Sequence, residues 1–247
     1  MSIVSNDLKF YGSAVMPDDD VTANVGGVIS TVKKVVFTDI TPEGLVEMLS
    51  SEAGDTTQTV TIYGRNTAGE IISETKTLNG LTVVDFTSSW ERILKVIMSA
   101  TATGTITIRK DGAGGNLITL EPGITQVRRP FYNANAPVAG TKDYFEKIFC
   151  KNTHATLTLV NAVIIENADP SGKITFGLED TLDDSHTVAN RLTAPAAMTF
   201  DSATKNVANS QNLTAGSAQG TWLKLSLAST DIPANTTYTV ECQGGTT

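Results

Sequence analysis

Residues 59–80, TVTIYGRNTAGEIISETKTLNG, carry the pattern that decides the fold. Val60 and Ile62 alternate with Thr59, Thr61 and Tyr63, the two-residue period of a strand with one buried face. Asn66-Thr67-Ala68-Gly69 then supplies a turn with a glycine free to take positive φ. EIISETKTL runs back as a second strand, and Asn79-Gly80 ends it. The stretch reads as a hairpin. Its polar side chains, mostly Thr, Ser and Asn with charges of alternating sign, suit a solvated face and not a reaction centre.

The same grammar extends outward. In GTITIRKDGAGGNLITLEPG, Ile106 and Ile108 share a face, the glycine-rich segment 111–115 turns the chain, and Ile118 and Leu120 return. WERILKVIMSA has helical propensity, but Ile93, Lys95 and Ile97 alternate with Leu94, Val96 and Met98. It reads as a two-faced strand because neighbouring β structure overrides local propensity. TPEGLVEMLSS opens like a helix, with Thr41 before Pro42, yet Gly44 and its shortness favour a strand from about Leu45 to Ser50. Farther on, YFEKIFCKNTHATLTLVNAVIIE, KITFGLE, TWLKLSLAST and TYTVECQG read as strands, with DPSG as a turn.

Composition agrees with this reading. Only 18% of the 247 residues are charged, and Thr, Ala, Gly, Asn and Ser abound, whereas long surface helices need Glu, Lys, Arg and Leu. The expected fold class is all-β, as two β-sandwich domains of jelly-roll or Ig-like type in tandem. VRRPFYNANAPVAG, with two prolines and no sustained alternation, marks the crossing between them. The expected organisation is an N-terminal arm over 1–20, a first sandwich over 21–130, a linker over 131–140 and a second sandwich over 141–247.

Net charge is −8 and the isoelectric point is near 4.8. No basic run exceeds pairs such as Lys33-Lys34 and Arg128-Arg129, so the surface repels phosphate backbones and anionic lipid. Neither nucleic acid nor membrane is an expected partner. The opening MSIVSNDLKFYGSA has no basic stretch before an apolar core, and no stretch approaches the roughly 18 apolar residues of a membrane span. Synthesis and folding in a cytoplasm are expected. Cys150 and Cys242, 92 positions apart, read as two reduced thiols.

No set of residues spells out catalysis. The two imidazoles, His154 in KNTHATL and His186 in DDSHTV, lie in polar, turn-like settings with no nucleophile elbow, and read as exposed or capping groups. Two histidines and two distant cysteines offer no zinc spacing. Asp18-Asp19-Asp20, and Glu179-Asp180 with Asp183-Asp184, lack the spacing of a calcium loop and read as solvated acidic loops. DGAGGN lacks the Lys-Ser/Thr and following helix of a phosphate cradle. Trp90, Phe131, Tyr132 and Trp222 read as core or interface anchors. The expectation is a protein that is not an enzyme, with no catalytic residue, cofactor or metal.

GRNTAGEIISETKTLNG followed by SSWERILKVIMSATATGTITIR, then YFEKIFCKN, ADPSGKITFGLED and GSAQGTWLKLSLAS, resemble the β-rich structural proteins of tailed bacteriophages. The resemblance covers both expected domains and contains no catalytic motif. It implies a virion component, with head decoration (cement) as the first role. Neck, tail or baseplate component and host-surface receptor or glycan binding are the alternatives. It also implies the major capsid protein or other virion proteins as partners, and a homo-oligomer, with a trimer as one form.

Overall fold

The computed structural model describes residues 2–232 and 236–246. Residues 1, 233–235 and 247, which fall in the expected arm and second sandwich, lie outside the described set. The chain is almost entirely β, with 49% in strands and 3% in helix. It divides into two compact units, one formed by residues 1–30 and 130–247 and the other by 31–129. In chain order the strands are β1 (Leu8–Val15), β2 (Val25–Lys34), β3 (Val46–Ser50), β4 (Thr59–Arg65), β5 (Ile71–Thr77), β6 (Val84–Asp85), β7 (Arg92–Met98) and β8 (Ile106–Lys110). There follow β9 (Asn116–Leu120), β10 (Gln126–Arg128), β11 (Thr141–Asn152), β12 (Leu159–Ala168), β13 (Ile174–Leu182), β14 (Thr187–Val188), β15 (Lys205–Asn206), β16 (Ala218–Ala228) and β17 (Thr239–Thr246).

The unit 31–129 contains the hairpin expected over residues 59–80. β4 is buried at every second residue, and its partner β5 alternates between exposed and half-buried positions. Asn66 holds the turn, its Oδ1 accepting the Ala68 and Glu70 amides at 3.0 and 2.9 Å, while Gly69 takes φ +81°. WERILKVIMSA is a strand, β7, which pairs antiparallel with β4 and β10. TPEGLVEMLSS likewise yields β3, which pairs with β6 and β8. One sheet runs β10-β7-β4-β5, with the end of β2 parallel to β10, and a second runs β6-β3-β8-β9. Val60, Ile62, Val96, Met48, Ile106, Ile108 and Trp90 fill the core. Gly64 is required beside Trp90, because a Cβ there would lie 2.3 Å from the Arg92 carbonyl and 2.9 Å from the indole ring.

Residues 1–30 do not fold with 31–129. Within 1–20, expected as an arm, β1 pairs with β11 from Leu8↔Asn152 to Gly12↔Ile148. β11 is the central strand of the other unit, in the order β13-β16-β11-β1, and matches β16 from Thr141↔Ala228 to Lys151↔Ala218. β14 pairs with the start of β2. Seven consecutive residues, Tyr144 to Cys150, are buried, so both faces of β11 are covered. A separate sheet runs β15-β12-β17.

The segment 131–140, expected as a linker, is tied into this unit. Arg191, 2% exposed, donates to the carbonyls of Tyr132 at 2.6 Å and Asn133 at 3.1 Å. Its guanidinium lies 4.9 Å from the Tyr144 ring centroid, and Asp20 accepts from it at 2.7 Å. The Tyr144 hydroxyl donates to the Asn135 carbonyl and accepts from the Asn135 amide. These bonds turn a polar crossing into an ordered edge of the fold.

Cys150 and Cys242 are free thiols brought together from β11 and β17. The Cys150 thiol is pushed well above its usual value, first by its hydrogen bond with Cys242, then by burial and by repulsion between the two groups. In native protein iodoacetamide should label Cys242, which is partly exposed, and spare Cys150 until denaturant is added. Equal labelling of both thiols in the native state would contradict this.

Candidate functional site

The strongest chemical feature lies inside the unit formed by 1–30 and 130–247, on one face of its central strands. Alternation puts Phe145, Lys147 and Phe149 on the same side of β11. Lys147 stands opposite Trp222 and Phe149 opposite Gly220 on β16, while Gly177 on β13 pairs with Trp222 from the other side. A lysine is thus fixed by strand register among aromatic rings. Its ammonium lies 5.0 Å from the centroid of Phe149 and 5.6 Å from that of Trp222.

The Lys147 side chain is 0% exposed, a costly position for an ammonium unless charge and hydrogen bonds meet it. Nζ donates to Asp184 Oδ1, to the His186 carbonyl at 3.2 Å and to the Gly27 carbonyl at 3.3 Å. Glu179 Oε1 lies 3.6 Å away. That same oxygen accepts from Trp222 Nε1 at 2.6 Å and lies 3.0 Å from His186 Nδ1. One ammonium and two carboxylates therefore share a cage from which only the His186 ring reaches solvent appreciably.

Gly220 makes the room. A Cβ at this position would lie 2.2 Å from Asp184 Oδ2 and 3.1 Å from both Lys147 Cε and Glu179 Cγ, so a side chain here would displace the Asp184 carboxylate. Asp184 Oδ2 is buried and has no hydrogen-bond partner. Burial pushes the Asp184 carboxyl above its ordinary range. Lys147 draws it back, and the nearby Glu179 charge adds to the upward push. The acid is held closer to its neutral form than a surface aspartate.

Asp18, Asp19, Asp180 and Asp183 are exposed, as expected of solvated acidic loops, whereas Glu179 and Asp184, at 12% and 6% exposure, depart from that expectation. Glu179 and Asp184 face inward, and Asp183 accepts the Ala218 amide at 2.9 Å. In the other segment, Asp20 bonds Lys142 and Arg191, while Asp19 accepts the Val21 and Thr22 amides at 2.9 and 2.7 Å. His154 is a cap, its Nδ1 accepting the Thr156 and Leu157 amides at 3.1 and 3.0 Å. His186 is drawn into the cage and does not stand alone. The signal missed in the sequence is Lys147 itself, a charge placed in register between Phe145 and Phe149 on an inward-facing strand side.

DGAGGN forms the β8–β9 hairpin loop, and the amides of Asp111, Gly112, Ala113 and Gly114 are occupied from within the chain. Glu47, 4% exposed, accepts from Gly112 at 3.0 Å, from Ala113 at 3.1 Å and from the Arg109 guanidinium. Among the described residues, carboxylate oxygens of Glu47, Asp85 and Asp111 gather within 4.8 Å. The contacts already made by Glu47 make that group a staple for the loop. No helix of the described residues is long and apolar enough to cross a membrane. Comparison of the chain with protein-family models, with curated proteins and with solved structures gave no match.

Proposed function

We propose that the protein is a non-enzymatic structural component of a tailed-phage particle, a head decoration or cement protein that acts through contacts with the capsid protein and with further copies of itself. The observation that carries this reading is where the phage-like phrases fall. Segments 64–80 and 88–109 make up β5, β7, β8 and the end of β4, while 144–152, 168–180 and 216–229 supply most of β11, β13 and β16. The resemblance thus bears on the frameworks of both units, together with the turns at 66–70 and 169–173 that lead into their strands. Charged side chains of the kind that serve chemistry are engaged inside those units, as Lys147, Arg191 and Glu47 illustrate. A stiff body that offers strand edges and loops suits repeated weak contacts, which symmetry multiplies into a stable shell.

A partner that binds only the assembled state stabilises that state by mass action. Particles carrying the protein should therefore release DNA at a higher temperature than particles lacking it, with the effect saturating as occupancy rises and independent of His154. Equal release temperatures, with normal head yield but lost adsorption to host cells, would reject cement in favour of receptor binding. Copy number from quantified bands of purified particles separates the same two readings, since decoration requires many more copies than a tail position.

A further inference from the structure

We propose that Lys147 and Asp184 condense spontaneously into an intramolecular isopeptide bond, with Glu179 carrying the protons. The proposal concerns chemistry inside one chain and stands whatever particle the protein serves. Three features support it: the geometry of the donor and acceptor, the exclusion of water, and a second carboxylate, Glu179, with Oε1 3.6 Å from the Lys147 nitrogen.

Lys147 Nζ is in hydrogen-bond contact with Asp184 Oδ1, which brings the nucleophile to the carboxyl it would attack. Holding two reacting groups in this way can replace a bimolecular encounter with effective molarities of about 10⁵ M or more. The Lys147, Asp184 and Glu179 side chains are 0%, 6% and 12% exposed, so the water that would favour hydrolysis is largely kept out. The absent side chain of Gly220 is what admits Asp184 Oδ2, and this oxygen, the one that departs, is held by no hydrogen bond. The upward push on the Asp184 acid favours the neutral carboxyl, the electrophilic form. Condensation also removes a buried ion pair, whose desolvation is a standing cost, and leaves an amide.

The step balances without an outside reagent. A proton moves from the Lys147 ammonium to the Asp184 carboxylate, giving a free amine and a carboxylic acid. The Nζ lone pair forms a bond to Cγ. Glu179 Oε1 accepts a proton from the nitrogen and delivers it to the departing hydroxyl. The Cγ–O bond breaks, one water leaves and Glu179 returns to its carboxylate. The product ties β11 to the segment after β13 across 37 positions of sequence.

The test is an intact-mass measurement on purified, denatured full-length protein, followed by peptide mapping. The expected result is a chain one water lighter than its sequence mass, with a branched peptide joining Lys147 to Asp184. Lys147→Arg and Asp184→Ala should restore the full mass. Glu179→Gln should keep a β-type circular dichroism spectrum while losing at least nine-tenths of the cross-link. Wild-type protein at full sequence mass would overturn the proposal whether or not any variant folds. So would a water loss that maps to Asp111-Gly112, the signature of a backbone succinimide, or a branch from Lys147 to Glu179. A cross-link that persists at wild-type level in folded Glu179→Gln would overturn the proton-carrier role.

Discussion

Trp222→Ala should destabilise the unit formed by 1–30 and 130–247 by about 3–5 kcal/mol, the range for truncating a large buried aromatic, and lower its melting temperature by roughly 10 °C or more. The ring is fully buried against Val25, Phe145 and Val188, with Met198 and Phe200 packed on the same cluster. Its Nε1 also supplies the 2.6 Å hydrogen bond to Glu179. Alanine would therefore open a cavity and remove a donor from a buried carboxylate at once. Trp222→Phe retains most of the packing and loses the hydrogen bond, and should cost only about 1–3 kcal/mol. Because Trp90 and Trp222 are the chain's two tryptophans and lie in different units, the fluorescence of Trp222→Ala reports on 31–129 alone, and far-UV circular dichroism must follow the loss. A urea midpoint unchanged for Trp222→Ala would contradict the packing described.

The second large effect is expected at Asp55. Its side chain, 1% exposed, accepts from Ser50 Oγ at 2.6 Å and from the amides of Thr103 and Gly104 at 2.9 Å each. One carboxylate thus fastens the end of β3 to the turn that leads into β8. Asp55→Ala leaves two backbone donors unmet and should cost about 3 kcal/mol. The Ser50 hydroxyl, followed by the Thr103 and Gly104 amides, holds the carboxyl below its ordinary range against the opposing effect of burial. With its folded value below the unfolded one, near 3.9, the stabilisation is complete above about pH 4 and is lost as the pH falls through the folded value. In wild type the urea midpoint should fall over that acid window, and in Asp55→Ala the fall should be smaller. Superimposable acid profiles would refute the assignment.

How much of this was legible in the sequence depended on the distance over which each feature is decided. The hairpins of β4–β5 and β8–β9, and the choice of strand over helix for Arg92–Met98, are written in neighbouring residues, where alternation and turn chemistry operate. The membership of residues 1–30 is not. The β1–β11 pairing joins Leu8 to Asn152, and no local pattern announces a partner so far along the chain. The cage was hidden for a similar reason. Glu179 and Asp184 have the composition of a solvated loop, and what draws them inward is a lysine on β11 and a missing side chain on β16. The crossing at 131–140 looked like a free linker because its anchor, Arg191, lies some sixty positions downstream.

The nested arrangement of the two units also sets an order of events on the ribosome. The segment 31–129 is complete in itself and can close as soon as it emerges. β1 lies between β2 and β11 in the sheet order, and while β2 follows it closely in the chain, its other edge has no partner until β11 appears more than 125 residues later; at about 5–20 residues per second that wait is on the order of ten seconds. For that interval the nascent chain carries one open edge of a strand containing Phe10 and Tyr11, the kind of edge that chaperones hold and that crowded polysomes aggregate. Yield in the producing cell should therefore depend on how β1 is shielded during translation as well as on the stability of the finished fold.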